Sequence, residues 1–134
     1  MIQTLWIMSL FSFFKNFLSK RHSSNTADSK SVFDHYFFDS KYYLHPNASI
    51  ENFSILLNIS PDQLNHISKV YYNCLFEKLL NQQRYVYFLD ELNNPINANL
   101  SMESVIKLCG FQNEEKFVKY LKEIEYMNKE LNKY

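Results

Sequence analysis

The sequence predicts an all-α fold: two helix-turn-helix units joined by one long linker helix. Three observations carry this. Apolar residues recur at helical spacing through most of the chain after Ser31. The 134 residues include one glycine and three prolines, so backbone breaks are few and short. Finally, "SIENFSILLNIS" (49–60) and "SMESVIKLCGFQ" (101–112) align without a gap on either side of a nineteen-residue stretch, 75–93, that lacks Gly and Pro.

Each element has its own local reason. In "SVFDHYFFDSKYYL", Phe33, Tyr36, Phe37 and Leu44 fall near one helix face, and "HPNAS" breaks the run with Pro46 and Asn47. The next segment carries Ile50, Phe53 and Leu57 at i, i+3 and i+7. Ser60 and Pro61 then have the chemistry of an N-cap and a first-turn proline, opening a helix in which Leu64, Ile67 and Tyr71 repeat the spacing. "LFEKLLNQQRYVYFLDELN" follows as the linker helix, roughly 28 Å long at 1.5 Å per residue, and is ended by Pro95 and the Asn-rich "NNPINAN". Met102, Val105, Ile106 and Cys109 mark the second repeat, and Phe117, Tyr120, Leu121 and Ile124 the helix after Gly110.

Gly110 aligns with Asn58. A residue without a Cβ takes positive φ cheaply, and Asn is the best substitute for it, so both positions read as left-handed turns between two helices. Gly110→Asn should accordingly be milder than Gly110→Val.

The organisation is then residues 1–22 as an apolar, amphipathic segment, 23–30 as a linker, 31–127 as the double helix-turn-helix domain and 128–134 as a C-terminal tail. The polar, Ser-rich "RHSSNTADSK" supports the linker. The first segment, "MIQTLWIMSLFSFFKNFLSKR", is interrupted by Lys15 and is short of the roughly 20 residues that span a bilayer. Its charge follows the apolar part, unlike a signal peptide. The readings that stay open are an interfacial helix, or the cytoplasmic end of a truncated membrane span followed by the basic Lys20 and Arg21, and, against both, a helix packed on the domain itself.

Composition narrows the function. Basic and acidic residues balance at 14 each, so no polycation announces a nucleic-acid partner. Cys74 and Cys109 lack a CxxC partner or a His cluster, which reads as packed, reduced thiols without a metal. Asp34 and His35 are sequence neighbours that point about 100° apart on a helix, a poor dyad. A single glycine cannot form a phosphate-cradling loop. These residues give an enzyme no positive support and call for no cofactor.

With both units, the linker helix and "GF" in order, the chain resembles the AraC/XylS family of bacterial transcription regulators over roughly residues 31 to 124. "GFQNEEKFVKYLK" lies on that family's glycine-phenylalanine signature, through Gly110, Phe111 and the later Phe117, and "LLNQQR" on the Leu-Asn-x-x-Arg of its linker helix, ending at Arg84. "YYLHPNASIE" is similar to the lead-in found where such domains follow a membrane-bound sensor.

The resemblance implies a DNA-binding regulator with no catalytic role. Groove-facing positions fall on Asp62, Asn65, His66 and Lys69 in the first unit, and on Glu114, Glu115, Lys116 and Lys119 in the second. Asn pairs with adenine, Lys reaches guanine or phosphate, and Glu accepts from cytosine N4. Ser60 and the amides of its helix start are placed for a phosphate. Recognition helices on one face of B-DNA sit about 34 Å apart, which a linker of this length suits. Implied partners are double-stranded DNA, a second copy in a homodimer, and a membrane surface or membrane-bound sensor through residues 1–22, all on the cytoplasmic side. The chain departs from the family where Ser54, Phe88 and Ile106 replace small Ala residues, and "EYMNKELNKY" replaces the usual closing segment. Residues 49–134 also hold nine Lys or Arg against eleven Asp or Glu, a formal charge of −2. That charge favours the alternative, a helical protein-interaction module that keeps the fold without binding DNA.

Overall fold

The computed structural model describes residues 26–133, and the segment 1–22 read as amphipathic lies outside them. All regular structure among the described residues is helical: α1 (Thr26–Asp34), a π turn (His35–Asp39), a 3-10 turn (Tyr42–Leu44), α2 (Ile50–Leu57), α3 (Pro61–Tyr72), α4 (Phe76–Leu92), a second 3-10 turn (Pro95–Asn97), α5 (Met102–Leu108) and α6 (Glu114–Leu131). The all-α expectation holds. None of these helices is long and apolar enough to cross a membrane. Two boundaries move: α1 begins at Thr26, inside the stretch read as a linker, and α6 continues to Leu131, into the stretch read as a tail.

The chain divides into two compact units. Within the described residues the first comprises 26–42 and Asn47–Leu79, and the second comprises Tyr43–Pro46 and 80–133.

The first unit is built on an aromatic core. Phe33, Tyr36, Phe37, Phe53 and Phe76 are fully buried with Leu64, and Leu57 and Ile67 nearly so. The Phe53 and Phe76 rings stack at 5.2 Å, Tyr42 stacks on Phe53 at 4.5 Å, and Phe33 meets Phe53 edge-on at 5.3 Å, the offset and edge geometries that the ring quadrupole favours. The π turn closes with Ser40 N–H donating to the His35 carbonyl at 2.9 Å, an i→i+5 bond. This wider turn lets Phe38, just past the helical face of Phe33 and Phe37, also reach Tyr72, at 5.3 Å between ring centroids. Tyr72 on α3 donates to the Asp34 carboxylate on α1, and Lys30 pairs with the same carboxylate one turn away. Burial, and then this carboxylate, raise the Tyr72 pKa, so the phenol keeps its proton and remains a donor.

The turn between α2 and α3 follows from its residues. Ser49 caps α2 by accepting from Asn52 N–H. Asn58 takes φ 55°, and Ile59 N–H returns to the Ser54 carbonyl at 3.0 Å, satisfying an end carbonyl of α2. Ser60 and Gln63 form a reciprocal capping box, with Pro61 in the first turn.

The second unit packs Phe88, Val105, Ile106, Cys109, Phe111, Phe117 and Tyr120 together, with Tyr85, Tyr87, Leu121 and Ile124 at the margin. Phe88 and Phe117 meet at 4.6 Å, so the bulky residues at the positions where the resembled family is small form the core. In the first unit Ser54 is buried, and its hydroxyl donates to the Glu51 carbonyl at 2.8 Å. Met102, which shares the spacing of Val105, Ile106 and Cys109, lies exposed in the first turn of α5. Gly110 has φ 90°, and Asn113 caps α6 by accepting from Lys116 N–H at 2.9 Å.

Candidate nucleic-acid interface

The outer face of α3 follows from what the helix buries. Leu64, Ile67 and Ser68 turn inward, which leaves Asp62, His66 and Lys69 exposed at i, i+4 and i+7 on one face. Val70 is also exposed.

Asn65 departs from the groove-facing expectation. It is half-buried, and its side-chain carbonyl accepts from Phe76 N–H at 3.1 Å. The sequence before α4 is "NCL", with no Ser, Thr, Asp or Asn at the immediate helix start, so the orphan amide of Phe76 takes its acceptor from α3. Glu77, in the first turn of α4, accepts from Ile50 N–H at 3.2 Å. Asn65 is therefore tied through its side-chain oxygen into the structure of the unit. Ser60 is exposed, but its hydroxyl oxygen already accepts from Gln63 N–H at 3.1 Å. What Ser60 still offers a phosphate is the hydroxyl proton.

On α6 the inward residues are Phe117 and Tyr120, with Leu121 and Ile124 half-buried. Glu114, Glu115, Lys116, Val118, Lys119 and Lys122 are exposed. Two shallow, open depressions run along this face: one of about 530 Å³ lined by Glu114, Glu115, Val118, Lys119 and Lys122, and one of about 470 Å³ lined by Lys119, Lys122, Glu123, Tyr126 and Met127. The two glutamates sit in the first turn of the helix, where the backbone dipole stabilises negative charge. Lysines follow one and two turns later, so charge alternates along the face.

Four residues escaped the sequence reading. Gln63 completes the capping box, and Asn113 caps α6. Gln112 donates to the Pro46 carbonyl at 3.1 Å and accepts from the Lys116 ammonium. Lys122 lines both depressions. The Ser-x-x-Gln spacing at 60–63 was a legible signal for the first of these. Gln112 had none, because its partner lies 66 residues away.

The structural positions behave differently from the surface ones. Arg84 is 7% exposed, donates through Nε to the Tyr43 carbonyl at 2.7 Å and through Nη2 to the His45 carbonyl at 3.0 Å, and lies 5.8 Å from the Phe111 ring centroid. Gly110, Phe111 and Phe117 are buried beside this network or in the core, and Asn58 is half-buried. Both cysteines are free. Burial, with a smaller effect from Glu91, pushes the Cys109 thiol up to about 12, and burial also raises that of Cys74. Neither is a thiolate near neutral pH. Asp34 and His35 face different partners, Tyr72 with Lys30 and Asp39 respectively.

Comparison of the chain with models of known families, with characterised proteins and with solved structures returns no match.

Proposed function

We propose that the chain is a sequence-specific DNA-binding protein that presents α3 and α6 to the major groove, each as the second helix of a helix-turn-helix unit. One observation carries the reading: in both units a left-handed residue, Asn58 or Gly110, is followed within three residues by a side-chain N-cap, Ser60 or Asn113, and then by a helix whose outer face is polar and exposed. That sequence of features positions the start of a helix outward, where base edges are read. In the first unit the reading residues are His66 and Lys69, with Asp62 and Ser60 at the helix start. In the second they are Lys116, Lys119 and the Glu114–Glu115 pair. A glutamate reads cytosine N4 and repels phosphate, so the acidic pair supplies selectivity at the expense of affinity.

Selection of full-length protein on a random duplex pool at low salt tests this. The expected result is a site with two half-elements about one helical turn apart, whose affinity falls steeply as salt rises. His66→Ala and Lys119→Ala should each weaken binding by roughly 1–3 kcal/mol at one half-element only. Absence of enrichment at low salt would overturn the proposal. It would favour the second reading, a protein-interaction module, which the −2 charge of residues 49–134 and the exposed Val118 between charged neighbours on α6 support.

A further inference from the structure

The stretch Tyr43–Pro46 belongs to the second unit, although its chain neighbours Tyr42 and Asn47 both belong to the first. The chain thus enters the second unit for four residues, leaves it, and returns only at Leu80. Three carbonyls hold this strap in place. Arg84 donates to those of Tyr43 and His45 at 2.7 and 3.0 Å, and Gln112 to that of Pro46 at 3.1 Å.

The seat of the strap is the turn that leads into α6. A Cβ built on Gly110 would lie 2.4 Å from the Tyr43 carbonyl oxygen, 2.9 Å from Arg84 Nε and 3.0 Å from the Leu44 Cα. The strap therefore occupies the space that a side chain at position 110 would need. Gln112, which grips Pro46, also accepts from Lys116 in the first turn of α6. The borders of the strap are backbone singularities: Lys41 has φ 54°, a conformation uncommon for a residue other than Gly or Asn, and Pro46 closes the other end. By contrast, the entry to α3 is fixed by nearby residues, Asn58, Ser60 and Gln63.

We infer that Tyr43–Pro46 is a regulatory tendon for α6: a displacement of the chain ahead of Tyr43 unseats the strap, releases the Gly110–Gln112 turn and changes the aim of α6 while leaving α3 set. In the seated strap the Tyr43 carbonyl fills the space over Gly110, so unseating it would open that space and remove the contact that fixes the turn. The effect on DNA rests on the function proposed above, whereas the coupling of strap to turn does not.

Hydrogen exchange by mass spectrometry on the full chain separates the two. Gln112→Ala, at an exposed position, and Arg84→Lys, which keeps the charge but loses the two-pronged grip, should each speed exchange in peptides covering 42–47 and 109–116 together, by about tenfold or more, with 50–72 unchanged. On DNA, the same variants should lose protection of one half-element and keep the other. Faster exchange at 42–47 with 109–116 unchanged would overturn the tendon, as would an equal rise across 50–72, which reports general loosening. If Arg84→Lys fails to fold, the milder Gln112→Ala decides, together with unsubstituted protein in rising denaturant, where 42–47 and 109–116 should open as one event. If no DNA site exists, the function proposed above fails and the exchange result still judges the coupling.

Discussion

Asn58 and Gly110 occupy corresponding places in the two units, at φ 55° and φ 90°, yet they are not interchangeable. Around Asn58 the end of α2 closes on itself, through Asn58 N–H to Ile55 and Ile59 N–H to Ser54, and the side chain is accommodated half-buried. Over Gly110 the strap carbonyl stands 2.4 Å from the position of a Cβ. The first turn needs a residue that tolerates positive φ. The second needs the absence of a side chain, for a reason that lies 67 residues upstream at Tyr43. Aligning the repeats makes Asn milder than Val at position 110, and the contact adds a cost common to both: any Cβ there meets backbone, which cannot rotate away.

The largest differences between the units are expected from their cores. Phe53→Ala, in the stacked aromatic centre of the first unit, should cost about 4 kcal/mol, and Phe117→Ala about 3 kcal/mol in the second, because each leaves a cavity that neighbouring rings fill only in part. Urea titrations followed by peptide-resolved hydrogen exchange would show which unit opens; loss confined to the substituted unit supports their independence.

Gly110→Ala should destabilise by about 3 kcal/mol from strain and overpacking combined, and Gly110→Asn by no less, whereas Asn58→Ala should cost about 1 kcal/mol and Asn58→Gly still less. Equal shifts in Tm for Gly110→Ala and Asn58→Ala would show that the strap does not occupy the space over Gly110.

A smaller effect comes from the caps. Ser60→Ala removes the capping-box acceptor and should cost about 1 kcal/mol, measured by thermal melting, with α3 fraying first.

The smallest is a pH effect on the strap. Burial, and then the adjacent Arg84 guanidinium, lower the His45 pKa from its usual 6.5. The native state thus binds fewer protons at His45 than the unfolded chain does, and stability falls as the pH drops through about 6.5 toward the folded value. His45→Gln should flatten that slope between pH 7.5 and 5.5 in denaturant titrations. An unchanged slope would show that His45 does not report on the strap.

What the sequence revealed about the fold was mostly local. Ser60–Pro61, Asn58, Gly110 and the breaks at Pro46 and Pro95 act within a few residues, so the main helices and the left-handed turns at Asn58 and Gly110 could be read directly, whereas those at Lys41 and Asn73 were not. The linker helix was expected over 75–93 and runs Phe76–Leu92. The π turn was invisible because its aromatic residues also satisfy an ordinary helical period, and the backbone bond from Ser40 N–H to the His35 carbonyl that defines it carries no sequence signature. Within the candidate interface, exposure of Asp62, His66, Lys69 and the α6 residues followed from helical spacing, whereas Asn65 was drawn inward by the uncapped start of α4, eleven residues later in the chain. The strap left no trace in periodicity, because its bonds run from backbone carbonyls that carry no sequence signature.

The threading of that strap also orders events in time. Its partners Arg84 and Gln112 lie 39 to 66 residues further along the chain, so during synthesis Tyr43–Pro46 emerges from the ribosome before either of them does. The aromatic cluster of residues 33–76 can condense in that interval, while the strap's carbonyls are still satisfied by water. Seating it must wait until Gly110 has emerged, making the closing of this contact a late step in assembly, and a nascent chain stalled before that point would hold the first unit with its strap unclaimed.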